Sequence, residues 1–538
     1  MEEQSGKTEP AMSSFHLTIV SVEKASLPRR FGATFAHNAL VSMGRLVVAS
    51  LVALILPAYL THKLPVKTYC AWVLILQLSA YVGYLDFGVQ NGVSKYVAEY
   101  EARGDEAGAN LRASAGFAIM AFMSILGVLM TLVLTWRVPQ LFREMPVSLY
   151  HDVRISLLFV GISISFGLLC SVFSAIFLGL QRYAVPMFLS ILNRVLFTGS
   201  VCSAIFFHSS LVIMGLAVAC VNVGTGLLQV LAWRKFASQI QVNLAKLDWV
   251  VFKKMLAYCS VLAVWSAGML CVNGLDVAIV GRYDFSKTGF FSIAALPITF
   301  IISIMGSALG PFLPTASALS THRTSAEMGS LLCRSTRYTM IILFLSGLPL
   351  LVAGYPILLL WVGSNYAINS VEFLRILVLA NILRMLCAPY ATMLVATESQ
   401  KVAIAGAIAE AAVNVASSVY LASHMGAVGV AYGTLLGAFV SVAMHFTLSM
   451  RYTYAKFAVS RTQLFLKGML RPAVIAAPSS LLLPFWWRSG APLFSAPLWL
   501  GWGMSTVLLG WYGGLDAGER RSLVAFAKMR LRLGPSYN

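Results

Sequence analysis

Residues 113–136 read ASAGFAIMAFMSILGVLMTLVLTW, an uninterrupted stretch without Asp, Glu, Lys or Arg. Coiled as an α-helix it is about 36 Å long, more than the roughly 30 Å of a bilayer's hydrocarbon core. A helix satisfies its own backbone hydrogen bonds, so hydrocarbon can surround it on every side. Outward from this stretch, similar runs recur along the chain. They cover 38–60, 68–88, 155–179, 187–207 and 211–232, then 255–278, 288–310, 338–361, 373–396, 403–423 and 428–450. Two more lie at 473–487 and 493–515, the first interrupted by Pro478 and Pro484. Of the 538 residues, 59% are hydrophobic and 11% charged; soluble domains carry about 25% charged residues. The expected fold class is an all-α polytopic membrane protein of about 14 transmembrane helices.

The net charge of +19 is spread over short loops between the runs. No groove-reading module accompanies it, so nucleic acid is not an expected partner. Lys and Arg accumulate on the cytoplasmic side of membranes. With the N-terminus inside, inner segments carry about 27 of the 39 basic residues and outer loops about 8. Both ends are therefore expected in the cytoplasm. The first thirty residues hold no short apolar core with a small-residue cleavage site, so no cleaved leader is read. The eight cysteines form no CxxC pair and sit mostly in apolar runs, which suggests packing and no metal site.

The spans divide into two sets of six plus an extra pair. Their loops repeat: a long inner loop follows span 2 (89–112) and span 8 (312–337), and tight inner turns follow span 4 (Gly179–Tyr183) and span 10 (Thr397–Lys401). Six is even, so the repeat would be parallel, about an axis along the membrane normal. The expected organisation is a cytoplasmic tail (1–37), an N-lobe (38–235), a linker (236–254), a C-lobe (255–450), a cytoplasmic loop (451–472), spans 13 and 14 (473–515) and a basic tail (516–538). No polar stretch is long enough for a soluble catalytic domain, and the chain is not read as an enzyme.

Ionisable residues deep in spans cost roughly 2.5–3.5 kcal/mol on insertion scales and commonly face a cavity or partner. Arg384 lies mid-span, Arg45 and Arg194 about two turns inside theirs, and Arg375 nearer an outer end, as an interface anchor. The one deep acid is Glu410, with Asn414 a turn further on the same face. Guanidinium is the side chain best suited to phosphate oxygens. Arg45, Arg194 and Arg384, with Asn193, Glu410 and Asn414, are the candidate substrate contacts; a structural ion pair is the competing role for Glu410. Asp86, Asp276, Arg282 and Glu410 are candidates for gating or coupling, with Asp86 and Asp276 expected at interfaces. Residues 97–112 suggest a solvated interfacial helix, and Pro297, Pro349 and Pro356 mark kinks.

Four motifs in order carry a resemblance. They are Leu85-Asp86-Phe87-Gly88 with Asn91-Gly92, Lys95–Glu99 and Gly104-Asp105; Gly179–Tyr183; Asp276–Gly281 with Gly289–Ala294; and Leu360–Gly363 with Tyr366. Together they resemble the bacterial O-antigen and polysaccharide flippases of the multidrug/oligosaccharidyl-lipid/polysaccharide exporter superfamily. The resemblance implies two six-helix lobes, alternating access and an inner-membrane location. It implies an undecaprenyl-pyrophosphate-linked oligosaccharide as cargo, membrane lipids and polysaccharide polymerases as partners, and no cofactor. Spans 13 and 14 depart from a 12-helix plan and resemble the 14-helix members, including lipid II flippases. A proton or sodium counter-ion, through Glu410, is an open expectation. The rival readings are a multidrug–cation antiporter, which calls for deep acids in the first half, and a membrane polymerase or ligase, which calls for a large outer loop.

Overall fold

The computed structural model describes residues 52–246, 248–309, 312–320, 324–480, 496–521 and 524. Helix is the regular structure throughout these residues, and nine helices among them are long and apolar enough to cross a membrane. The protein is a multi-pass membrane protein. The first set comprises α1 (52–63), α2 (Val66–Gly83), α4 (Glu106–Leu141), α5 (Val147–Gly179), α6 (Ala184–Phe206) and α7 (Leu211–Phe236), with α3 (Val89–Ala102) between α2 and α4. The second set comprises α8 (Trp249–Met269), α9 (Asp276–Tyr283), α10 (Thr288–Leu309), α11 (Phe312–Ser320), α12 (Ser325–Val352), α13 (Gly354–Val362), α14 (Ser364–Leu386), α15 (Ala388–Ala396), α16 (Ile404–Met425), α17 (Ala427–Met444) and α18 (Met450–Phe457).

Helices outrun their apolar runs because run length records bilayer thickness, whereas caps decide where coiling starts. α4 begins seven residues before its run, where the Asp105 carboxylate accepts the Gly108 N–H at 2.8 Å. α12 begins at a Thr324–Glu327 capping box, well ahead of 338. α14 begins at Ser364, so Arg375 lies three turns inside the helix. It is buried, with its Nε donating to Leu351 O at 3.3 Å, rather than anchoring at an interface.

Packing in the two sets follows one plan. α5 is the centre of the first set, packed by α2, α4 and α7; α14 is the centre of the second, packed by α10, α12 and α17. The turns after α5 and α15 share one closure. Arg182 N donates to Phe177 O and Ser399 N to Leu394 O, and Gln181 (φ 59°) and Glu398 (φ 54°) occupy the same left-handed position. This is a Schellman-type ending, made without the usual glycine.

At one end of the bundle the apolar core is shared by both sets: Trp72, Leu74, Phe142 and Leu157 join Phe291, Leu358, Phe373 and Val430 in one cluster. The seam there is polar as well as apolar. Trp361 Nε1 donates to Leu54 O at 2.6 Å, Phe285 N donates to Glu144 Oε2 at 3.2 Å, and Tyr69 meets Tyr366 edge-on. At the other end the core divides. Val93, Ile119, Phe173 and Phe177 form one cluster; Leu332, Met393, Met450 and Phe457 form another. α8 belongs to both sides. Its start packs on α3 and α4, and its far end is tied to α16.

α3 is not a freely solvated helix. Val89, Val93 and Val97 bury one face against the first set, and the reversal into it uses Phe87 (φ 43°) and Gly88 (φ 72°). The chain after α18 enters a helical stretch over 461–480, and Ala496–Leu509 is helical again. An ion network fastens the latter region to α12: Arg337 pairs with Asp516 and with Glu519 (3.1 Å), and Arg471 also pairs with Asp516.

Candidate transport site

Helix breaks create the first polar centre. α8 ends in a wide turn of π type over Leu270–Gly274 before α9 resumes. Such turns free backbone carbonyls, and here side chains from both sets take them. Asn414 Nδ2 on α16 donates to Val272 O at 3.0 Å. Gln77 Nε2 and the Tyr81 hydroxyl on α2 both donate to Gly274 O at 2.8 Å. α9 places Asp276 at its first position. The sequence suggested an outer interface for Asp276, but resumption of the helix after the break leaves it 9% exposed. Its Oδ2 accepts from Thr434 Oγ1 at 3.0 Å.

One turn along α16 from Asn414, Glu410 accepts at Oε1 from Arg384 Nε at 2.6 Å, with side chains 10% and 14% exposed. Arg384 thus sits in an ion pair inside the second set. Asn414 accepts from Ser418 at 3.2 Å through Oδ1. α16 and α17 come close enough for this cluster because Gly429, Gly433 and Gly437 form a stripe on α17; a Cβ at Gly433 would overlap Ser418 and one at Gly437 would press on Asn414.

The second centre is a cavity of about 670 Å³ inside the first set. The turn between α2 and α3 contributes Asp86, α3 Gln90, α5 Ser163, Ser171 and Ser174, α6 Ser190 and Asn193, and α7 Asn222, Thr225 and Gln229. Asn193 Nδ2 donates to Asn222 Oδ1 (3.2 Å) and Thr225 Oγ1 (2.9 Å), and Asn222 Nδ2 donates to Ser163 Oγ at 3.0 Å. The sequence pass singled out Asn193 and Asp86 here and missed the others. Their signal was present: Ser163, Gly167, Ser171 and Ser174, like Asn222, Thr225 and Gln229, recur at helical spacing.

The expected contacts therefore separate. Asn193 and Asp86 line the cavity, while Arg384, Glu410, Asn414 and Asp276 share the other centre. Arg194 is exposed on α6 and has no ion pair among the described residues. Arg282 is exposed, its guanidinium beside the Tyr283 ring. Arg45 lies outside the described residues. Among the described residues no group of acids, histidines and cysteines is placed to hold a metal ion.

No sequence-family model matches the chain, and no curated protein does. Solved structures do. A lipid II flippase, MurJ, in an inward closed conformation aligns with a TM-score of 0.66 at 12% identity, covering 92% of this chain and 100% of its own. An inward-facing MATE-family multidrug resistance transporter aligns with a TM-score of 0.61 at 15% identity, over 77% of this chain and 96% of its own. A transporter from Pyrococcus furiosus, described as having a binding pocket of reversed polarity, aligns with a TM-score of 0.54 at 15% identity, over 79% and 96%. The chain has the fold of a polytopic membrane transporter. It shares that fold with the lipid II flippase and the two transporters above.

Proposed function

We propose that this protein is a flippase that carries a saccharide linked through diphosphate to a polyprenyl lipid. It takes the head group from the cytoplasmic leaflet of a bacterial inner membrane and presents it at the outer leaflet for surface polysaccharide assembly. The observation that carries this reading is Arg194. It stands ten residues into α6, about 15 Å along the helix. There its guanidinium is exposed without an acid among the described residues. A lone charge at that depth costs roughly 2.5–3.5 kcal/mol on insertion scales, and an anionic cargo offsets the cost. Arg45 and Arg384 are proposed as the other cations, Arg384 exchanging Glu410 for phosphate as the cargo enters.

The shared core at one end and the divided core at the other support alternating access. With the basic loops inside, the closed seam faces outward and the divided end faces the cytoplasm. The lobes (38–235 and 255–450) rock about the seam; Arg282 is proposed to act beside it and Asp86 at the divided end. No GxxxxGK[ST] loop occurs in the sequence. The membrane potential supplies roughly 2.3 kcal/mol per negative charge per 100 mV for outward movement. A counter-ion, proton or sodium, is assigned to Glu410 and Asp276.

The test is flipping by purified protein in proteoliposomes, using a fluorescent polyprenyl diphosphate bearing a disaccharide. Arg194→Ala is expected to abolish flipping and Arg194→Lys to retain part of it. Wild-type rates in the Ala variant would refute the reading. Efflux of cationic drugs with no lipid flipping would favour the multidrug antiporter instead.

A further inference from the structure

The cavity in the first set is chemically unlike an anion site. Among the described residues no Lys or Arg lines it, and the one charged residue there is Asp86, a carboxylate. A diphosphate would meet repulsion from Asp86 and no counter-charge from these residues. No aromatic ring among them lines it either, so an aromatic cation would find nothing there to stack on. A hydrocarbon tail would strip water from its hydroxyls and carboxamides without replacing their hydrogen bonds. A single small cation needs far less than 670 Å³. The volume lies within the roughly 300–1,000 Å³ of small-molecule sites.

In the lining, Gln229 Oε1 is buried with no hydrogen-bond partner, and Asp86 keeps its Oδ1 unmet although the Gly88 and Gln90 backbone N–H groups reach its carboxylate. Beside them, the Asn193–Asn222–Ser163 chain holds carboxamides and hydroxyls in fixed positions. Unpaired acceptors call for a donor-rich neutral ligand, and aliphatic Leu168, Leu178 and Met187 suit the C–H faces of a sugar ring. Consecutive helical residues diverge by about 100°, so α6 turns Asn193 to the cavity and Arg194 away from it.

We infer that this cavity binds the neutral sugar rings of the cargo, while the diphosphate stays outside it on the Arg194 side of α6. The inference rests on the proposed lipid-linked saccharide function and adds a subsite to it. The sugar rings, by this division, are selected by hydrogen bonds and the diphosphate by charge.

Gly167 and Gly83 supply the test. Both line the cavity, and a Cβ at either meets no atom within 4 Å. Gly167→Leu and Gly83→Leu therefore add a side chain to the lining whose Cβ starts in open space. The first readout is the thermal-unfolding midpoint of purified full-length protein with methyl pyranosides of glucose, galactose, mannose and N-acetylglucosamine. Sodium chloride, potassium chloride and potassium pyrophosphate serve as the other probes. At least one pyranoside is expected to raise Tm in the wild type and in neither Leu variant. The second readout is flipping of the disaccharide-bearing lipid relative to the same polyprenyl diphosphate without sugar. That ratio is expected to fall about tenfold in the Leu variants, the equivalent of losing about 1.4 kcal/mol of sugar recognition. Absence of any pyranoside shift, a shift that survives in Gly167→Leu, or a response to sodium alone would overturn the inference. If the wild type flips neither lipid, the proposed function fails, and pyranoside binding still decides what the cavity holds.

Discussion

Replacing Arg384 by Ala removes one member of a pair whose Nε–Oε1 distance is 2.6 Å and whose side chains are 14% and 10% exposed. The Glu410 carboxylate would then be left in a poorly solvated site. Breaking such a pair from one side typically costs 3–5 kcal/mol, whereas replacing both partners with apolar residues is often close to neutral. Arg384→Ala and Glu410→Leu are each expected to destabilise by about 3 kcal/mol, and Arg384→Met/Glu410→Leu by about 1 kcal/mol or less. The coupling energy between the sites would then be several kcal/mol, well above the roughly 0.5 kcal/mol within which distant sites add. The assay is denaturant unfolding in mixed micelles, run as a double-mutant cycle, alongside flipping in proteoliposomes. Stability and transport separate in the double variant: folding recovers and flipping does not. Single variants that cost under about 1 kcal/mol would show that the pair is solvated after all. A stable double variant that flips normally would remove Arg384 from the transport machinery.

Other outcomes follow from the seam and the helix contacts. A Cβ at Gly289 would stand 3.2 Å from the Cys70 sulfur across the seam, after a small shift of the Tyr69 ring. Gly289→Cys is therefore expected to form a disulfide with Cys70 under oxidation, arresting flipping until reductant is added; full activity of the cross-linked protein would contradict rocking about this seam. Gly433→Ala should lower Tm, because its methyl overlaps the Ser418 backbone, with a cost of about 1–3 kcal/mol for overpacking. Gly199→Ala, where a Cβ meets nothing within 4 Å, should leave Tm unchanged or raise it. Arg337→Ala removes the buried arginine shared by Asp516 and Glu519, leaving Arg471 on the first and the more exposed Arg334 on the second, so hydrogen exchange over Ala496–Leu509 should accelerate; unchanged protection would show that the remaining pairs and apolar packing hold that helix.

Apolar content along the chain was enough to place the membrane helices, because hydrocarbon selects each span by its own length and composition without reference to neighbours. The matching turns at Gly179–Tyr183 and Thr397–Lys401 were legible for a similar reason: a helix ending is local. The breaks were legible only in part: Pro349 and Pro356 bracket the one between α12 and α13, but neither its position nor the others could be read. The wide turn at Leu270–Gly274 and the ends of α12 and α14 lie within continuous apolar runs. The glycine stripe of α17 was written in the sequence, and its four-residue spacing was the signal for close packing. The cavity was half legible, since serines in membrane helices also satisfy themselves on their own carbonyls, as Ser171 does on Leu168.

By itself, then, the amino-acid order determined a helical membrane protein, its approximate span count and several arginines within its apolar runs. Only the tertiary structure decided what those cations meet. Arg384 and Glu410 are 26 residues apart on different helices, and no local pattern says that α14 and α16 bring them together. Nor could adjacency along the chain reveal that Asn193 and Arg194 face different surroundings. Partners and facing directions arise from how helices pack, and packing depends on shape across the whole bundle rather than on the hydropathy of any one span.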